Sequence, residues 1–173
     1  MYQKLVKILR RFFTDAQIYK YGFNWSSMYK RTTGKIIRVS DDLRRVTVKI
    51  PISYKNRNYV GSIFGGSLFS TTDPIFMIQL INILGDDYVV WDKDATIKYK
   101  RPAREDVYAK FLISESEITQ IIKDVAINNE TDFVKKLNIV TENGVIIAEL
   151  TKTLYIANKS YYKAKRKQKA QKK

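Results

Sequence analysis

An α+β domain, in which about six antiparallel strands wrap around one buried helix, is the fold class this sequence predicts. Three observations carry that reading. Ile75 to Leu84 (IFMIQLINIL) is apolar nearly all round rather than along one stripe, so the helix it forms needs neighbours on nearly every side. The segments around it alternate with a period of two; Val46, Val48, Ile50 and Ile52, for example, fall on one strand face. Turn chemistry separates those segments at Asp41-Asp42, Asn56-Arg57-Asn58 and Asn143-Gly144. At 173 residues and 45% apolar content, the chain can bury the core of a single domain.

The elements follow in chain order. Residues 2–13 put Tyr2, Leu5, Val6, Leu9, Phe12 and Phe13 at helical spacing, with Lys4, Lys7, Arg10 and Arg11 between them. Such a basic amphipathic helix more often packs on its own domain, and an anionic membrane surface is the alternative. Tyr19 to Tyr29, with Phe23 and Trp25, reads as an aromatic link that anchors this helix. Lys35–Ser40 and Arg45–Ile52 form a hairpin. The Gly65-Gly66 pair leads into the apolar run, which Gly85 closes as a C-cap. Tyr88–Lys100 is a long strand with Val89, Trp91, Ala95, Ile97 and Tyr99 on one face. Asp92, Asp94, Thr96, Lys98 and Lys100 occupy the other. Val107–Ile113 is a further strand, and Ser114-Glu-Ser-Glu opens an amphipathic helix with a capping box. Phe133–Val140 and Val145–Ile156 pair across Glu142-Asn143-Gly144. The chain thus divides into an N-terminal helix and aromatic linker (1–31), the main domain (32–157) and a Lys-rich tail (158–173). The tail lacks apolar periodicity, so disorder is expected there.

Composition removes whole classes of chemistry. Without histidine or cysteine there is no Ser-His-Asp triad, no thiol nucleophile and no zinc site built on those ligands. No cofactor and no metal are called for. The N-terminus carries charges throughout, unlike a signal sequence, and the apolar run Pro74–Leu84 is too short to cross a bilayer. The expectation is a cytoplasmic protein, with peripheral contact at the inner membrane face as the alternative.

The chemistry points to Asn58-Tyr-Val-Gly-Ser-Ile-Phe-Gly-Gly-Ser-Leu-Phe-Ser-Thr-Thr-Asp-Pro. Peptide N–H groups of a Gly-Gly pair at a helix start are bare and sit at the positive end of the dipole, so they can meet a polarised carbonyl. Asp73 follows about two turns later as a base or nucleophile. A carbonyl polariser near a carboxylate suggests acyl transfer, and thioester hydrolysis leads. Two local readings of Asp73 compete. Asp-Pro is a common N-cap and first-turn pair, which would start the helix at Pro74 and make Asp73 structural. If the helix starts at Gly65 instead, Pro74 lies inside it and must distort it beside the acid.

The pattern Asn-x-x-Gly-x-x-Phe-Gly-Gly-x-x-Phe-x-x-x-Asp, together with Leu84-Gly-Asp-Asp-Tyr-Val-Val-Trp-Asp-Lys, resembles the hotdog-fold thioesterases over roughly residues 32–156. Within them it is most similar to the phenylacetyl-CoA thioesterase-like branch and a neighbouring uncharacterised hotdog family. The resemblance implies a hotdog fold in which a glycine N–H polarises the thioester carbonyl and the helix carboxylate acts as base or nucleophile. Residue by residue it nominates Asn58, Gly65, Gly66 and Asp73 as catalytic. Phe64 departs from the pattern, since many relatives have histidine there and phenylalanine carries no proton.

The substrate implied is a fatty or aromatic acyl thioester of coenzyme A or of an acyl-carrier protein, with coenzyme A entering only as part of the substrate. Phe64, Ser67 and Thr72 are candidate substrate contacts, with Ser67 and Thr72 as hydroxyl helpers or ordinary helix-start residues. Lys98, Lys100, Arg101 and Arg104 are candidate phosphate contacts, or simply a solvated strand end. The net charge is +15, and seven Lys and one Arg without an acid lie between Asn158 and Lys173. That tail suits an anionic membrane or an acidic carrier, or serves only solubility. It lacks the interleaved aromatics of nucleic-acid binders, so nucleic acid is not favoured. The resemblance also implies a homodimer or a dimer of dimers. The rival reading is a non-catalytic acyl- or lipid-binding module.

Overall fold

The computed structural model describes residues 9–171. Helices α1 (Asp15–Trp25) and α2 (Ser27–Lys30) precede the hairpin β1 (Lys35–Val39) and β2 (Arg45–Ile50). Helices α3 (Gly65–Thr72) and α4 (Ile75–Leu84) follow, then β3 (Tyr88–Tyr99), β4 (Val107–Leu112) and α5 (Glu115–Asn128). The chain ends in β5 (Glu130–Thr141), β6 (Ile146–Asn158) and α6 (Lys159–Gln171). The six strands make one antiparallel sheet in the order β1-β2-β4-β5-β6-β3.

One face of this sheet holds the core. On β6, Ala148, Leu150, Lys152, Leu154 and Ile156 all turn inward and are buried. Phe111 of β4 meets Phe76 of α4 edge-on, with ring centroids 4.9 Å apart, so α4 lies against that face. Lys135, the cross-strand partner of Lys152, reaches Glu117 of α5 at 2.8 Å, so α5 covers the same face. Ser114 and Glu117 form the expected capping box at the start of α5. Gly85, at φ 79°, ends α4 with its N–H on the Ile81 carbonyl.

The two readings of Asp-Pro are resolved in favour of a helix that starts at Gly65. Asp73 is not an N-cap, because its side chain accepts no helix N–H, and α3 runs into α4 as one broken helical stretch, Gly65–Leu84. Pro74 has no N–H to donate, and its ring pushes the preceding turn away. Side chains from elsewhere donate to carbonyls beside the break. Tyr29 Oη donates to Thr71 O (3.1 Å), Tyr19 Oη to Ile75 O (3.1 Å), and Lys152 Nζ to Asp73 O (2.5 Å). By length and composition Gly65–Leu84 could span a membrane. Its charged break and its packing on the sheet identify it as the core helix.

Four expectations are corrected. First, Tyr19–Tyr29 is not a link but mostly helix; Tyr19 stacks on Phe23 at 4.8 Å, and Phe23 meets Tyr29 edge-on at 5.3 Å. Of the helix expected over residues 2–13, most lies outside the described residues. Within them, Phe12 and Phe13 turn back to the Leu9 carbonyl and are exposed. Second, the tail is not disordered through its described length. Asn158 Oδ1 caps the Ser160 N–H at 3.0 Å, Lys165 pairs with Glu130 at 2.5 Å, and Tyr162 packs on Tyr155. The Asn158 cap is local, but the contacts to Glu130 and Tyr155 are tertiary, so the absence of apolar periodicity in the tail gave no sign of them.

Third, the strict alternation assumed for β3 fails at a bulge between Asp92 and Asp94. Before it Val90 and Asp92 face inward, after it Ala95, Ile97 and Tyr99 do, and Trp91 is left outside. Fourth, α4 is not enclosed on all sides by its own chain. Ile75, Phe76, Gln79 and Leu80 are buried, but Ile81 is 41% exposed and Asn82 is also exposed. The sheet curls around one side of the helix only.

Phenylalanine at position 29 keeps the packing and removes the hydroxyl that caps Thr71 O. Tyr29→Phe is expected to lose about 1–3 kcal/mol in urea unfolding, the cost of an orphaned buried acceptor. The exposed Tyr21→Phe should stay within about 0.5 kcal/mol.

Candidate active site

The Gly65-Gly66 start of α3 is built by aromatic rings. Phe64 sits at the N-cap with extended backbone and offers no side-chain cap. Ser67 and Leu68 N–H groups turn back to the Phe64 carbonyl, whereas those of Gly65 and Gly66 make no hydrogen bond among the described residues. Both glycines lie close against aromatic rings. A Cβ on Gly66 would lie 2.3 Å from the Phe64 ring, and one on Gly65 would lie 2.9 Å from the Tyr99 ring. Tyr99 Oη donates to Gly65 O at 3.0 Å, which ties the end of β3 to the helix start.

Asn58 is spent within its own turn. Its Oδ1 accepts from the N–H groups of Val60 and Ser62, and its Nδ2 donates to Ser62 Oγ. It shapes the loop and does not reach the glycines through its amide. The anchor that sequence reasoning missed is Asn56, which is buried. Its Nδ2 donates to Thr33 Oγ1 (2.8 Å) and Pro51 O (2.9 Å), while its carbonyl accepts the Phe64 N–H at 2.7 Å. Thr33 sits at φ 68°, a costly conformation for a β-branched residue that this network holds in place. Thr72 turns its hydroxyl onto Phe69 O, so its role is within the helix. Ser67 is half-buried and directly follows the glycine pair.

Asp73 is half exposed, with a side chain 52% accessible. Its Oδ1 accepts from Lys152 Nζ at 3.0 Å, and Oδ2 makes no hydrogen bond among the described residues. Lys152 is 1% exposed, and Asp92 Oδ1 lies 2.9 Å from the same ammonium. This second contact is an ion pair in which Asp92 Oδ1 accepts no well-formed hydrogen bond among the described residues. Burial pushes the Asp92 carboxyl above its ordinary value, against the pull of Lys152. Neither Lys152 nor Asp92 was a candidate from sequence. A lysine between two inward leucines, Leu150 and Leu154, was the one available signal.

The basic residues near the end of β3 do not join this site. Lys98 pairs in register with Glu149 on the outer face of the sheet, Lys100 bridges to Glu149 at 3.0 Å, and Arg101 donates to Ile146 O. Arg104 is exposed and forms no ion pair among the described residues. An open depression of about 320 Å³ lies on that outer face between Thr96, Lys98, Lys136 and Thr151, away from Asp73. Distance along the helix imposes a further limit. At 1.5 Å rise per residue, Gly65 and Asp73 stand about 12 Å apart. Within one chain they cannot serve the same carbonyl.

Residues 16–156 match the family described as a domain of unknown function, DUF4442. No curated protein matches the chain significantly. Among solved structures, a Pseudomonas aeruginosa protein described as a probable thioesterase superposes with a TM-score of 0.73 at 17% identity. The match covers 82% of this chain and 95% of that one. A Chlorobaculum tepidum protein of unknown function gives a TM-score of 0.67 at 14% identity, over 82% and 93% of the two chains. A Haemophilus influenzae thioesterase gives 0.59 at 17%, over 79% and 87%. At such identities the likeness establishes the fold, and the fold is the hotdog.

The two glycines should respond differently to substitution. Gly66→Ala only displaces the exposed Phe64 ring, so a change under about 1 kcal/mol is expected. Gly65→Ala strikes a Tyr99 ring that is tethered by its hydroxyl and should cost about 1–3 kcal/mol. A double-mutant cycle with Tyr99→Ala, read by chemical denaturation, should recover most of that loss.

Proposed function

We propose that this chain, which belongs to the DUF4442 family and has a thioesterase-like hotdog fold, is a thioester hydrolase acting on acyl-CoA or an acyl-carrier protein. The observation that carries the reading is that one helical stretch presents glycine N–H groups without a hydrogen-bond partner among the described residues at its start and a carboxylate at its break. In this reading Asp73 takes a proton from water, and the water oxygen bonds to the thioester carbon. The carbonyl oxygen gathers charge against the Gly65 or Gly66 N–H, then the C–S bond breaks and the thiol leaves with the proton.

Both partners of that step must stand within about 3–3.5 Å of one substrate carbon. The roughly 12 Å between Gly65 and Asp73 therefore favours a homodimer, in which the glycines of one copy face Asp73 of the other. Strand β3 lies at the end of the sheet order, and Ile81 of α4 is exposed, so both have surface for a second copy to cover. Phe64 has no proton to shuttle and contributes an apolar wall. Lys98 and Arg104 are placed for phosphates only if the coenzyme A end of the substrate reaches around the sheet edge. The exposed, acid-free stretch of α6 supports electrostatic contact with an anionic membrane or a carrier protein in the cytoplasm. A non-catalytic acyl-binding module shares every one of these features except turnover.

The decisive assay runs short, medium, long and aromatic acyl-CoAs against the native protein and Asp73→Asn. The amide is nearly isosteric, so the fold should persist while kcat/KM falls about 10²- to 10⁴-fold. No hydrolysis of any thioester by the native protein would leave the binding module as the better reading. Truncation after Asn158 should leave kcat on acyl-CoA unchanged and weaken cosedimentation with anionic vesicles at low salt. That difference should vanish as the screening length falls to about 8 Å near 0.15 M salt and below. Equal binding by both forms would make α6 a solvated end only.

A further inference from the structure

Packing does not account for Lys152. It sits mid-strand on β6 between buried Leu150 and Leu154, where a leucine or methionine would fill the space without desolvating an ammonium. Its three oxygen neighbours are Asp73 O at 2.5 Å, Asp73 Oδ1 at 3.0 Å and Asp92 Oδ1 at 2.9 Å. Asp92 reaches this point only because the β3 bulge sets the inward phase of the strand on that side. Asp73 and Asp92 on one ammonium leave the cluster with one net negative charge, and of the two carboxylates Asp73 is the more exposed. The other charged or titratable groups nearby are already engaged. Lys135, across from Lys152 on β5, is held by Glu117, while the Tyr19 and Tyr29 hydroxyls are spent on helix carbonyls.

We infer that Lys152 and Asp92 are positioning residues for Asp73. Lys152 holds the backbone and carboxylate of Asp73 together at the helix break, and Asp92 shares the ammonium so that it does not neutralise Asp73 outright. The inference rests on Asp73 being the reactive acid, and it assigns a residue on each of two strands to a site that the helix motif alone describes. Burial of Asp92 and the adjacent Asp73 charge both push the Asp92 carboxyl upward, as expected for acids that share one counter-charge.

The two residues carry opposite signs, and that makes the inference testable. Removing the ammonium leaves two carboxylates facing each other, so K152M should take up a proton at a pH at least one unit higher than the native protein. Removing the second carboxylate leaves a balanced pair, so D92N should move the cluster's proton uptake to lower pH. The measurements are aspartate 13C-carboxyl titrations and the acid limb of kcat against pH, with KM nearly unchanged in D92N. If the native protein hydrolyses no acyl-CoA, the carboxyl titration still decides this point separately from the thioesterase reading. Shifts in the same direction, or none in either variant, would overturn the inference even if melting temperatures fall. Should K152M fail to fold, the downward shift in D92N must appear by itself.

Discussion

A proline breaks the core helix in a place that water reaches poorly, and side chains from other elements donate to the carbonyls beside the break. Tyr19 and Tyr29 come from the N-terminal helices, and Lys152 comes from the middle of β6; each donates to a carbonyl at the break. The helix start, the sheet and the N-terminal layer are thereby joined through one short stretch of backbone. In an unbroken helix the Thr71 and Asp73 carbonyls would accept helix N–H groups instead. It would also carry Asp73 on an ordinary turn rather than at a seam between two helical segments.

The polar centre of the molecule rests on that seam. Burying Lys152 is unfavourable by itself, and its two carboxylates offset the cost only while both are in reach. The bulge in β3 brings the second one. Sheet register and local charge are therefore coupled: a strand with regular alternation would turn Asp92 toward solvent and leave the ammonium with Asp73 alone. Breaking a buried charge pair of this kind typically costs about 3–5 kcal/mol, far more than an exposed pair such as Arg10–Asp15 returns.

A carbonyl-polarising helix start and a carboxylate about 12 Å along the same helix cannot meet at one substrate atom within one chain. The half-exposed apolar side of α4 and the open edge at β3 are the surfaces that the proposed dimer would use. The proposal of a dimeric thioester hydrolase thus follows from helix rise and exposed surface as much as from likeness to hotdog proteins.

Much of this was legible in the residues. The all-round apolar pattern of Ile75–Leu84, the capping box at Ser114 and the Asn-Gly turn determined a core helix, a second helix and a hairpin, because each depends on neighbours in sequence. The helix start at Gly65-Gly66 and the importance of Asp73 were also readable, although Asp73 had two consistent local roles. Only tertiary structure chose between them, since the choice depends on whether distant donors exist for the carbonyls beside the break. For the same reason Lys152, Asp92 and Asn56 stayed hidden. A bulge changes strand phase without a sequence signature, and a buried ion group is defined by residues 19, 60 and 79 positions apart, counted between Asp73, Asp92 and Lys152. Tail residues became helical through contacts with Glu130 and Tyr155 that no local periodicity encodes.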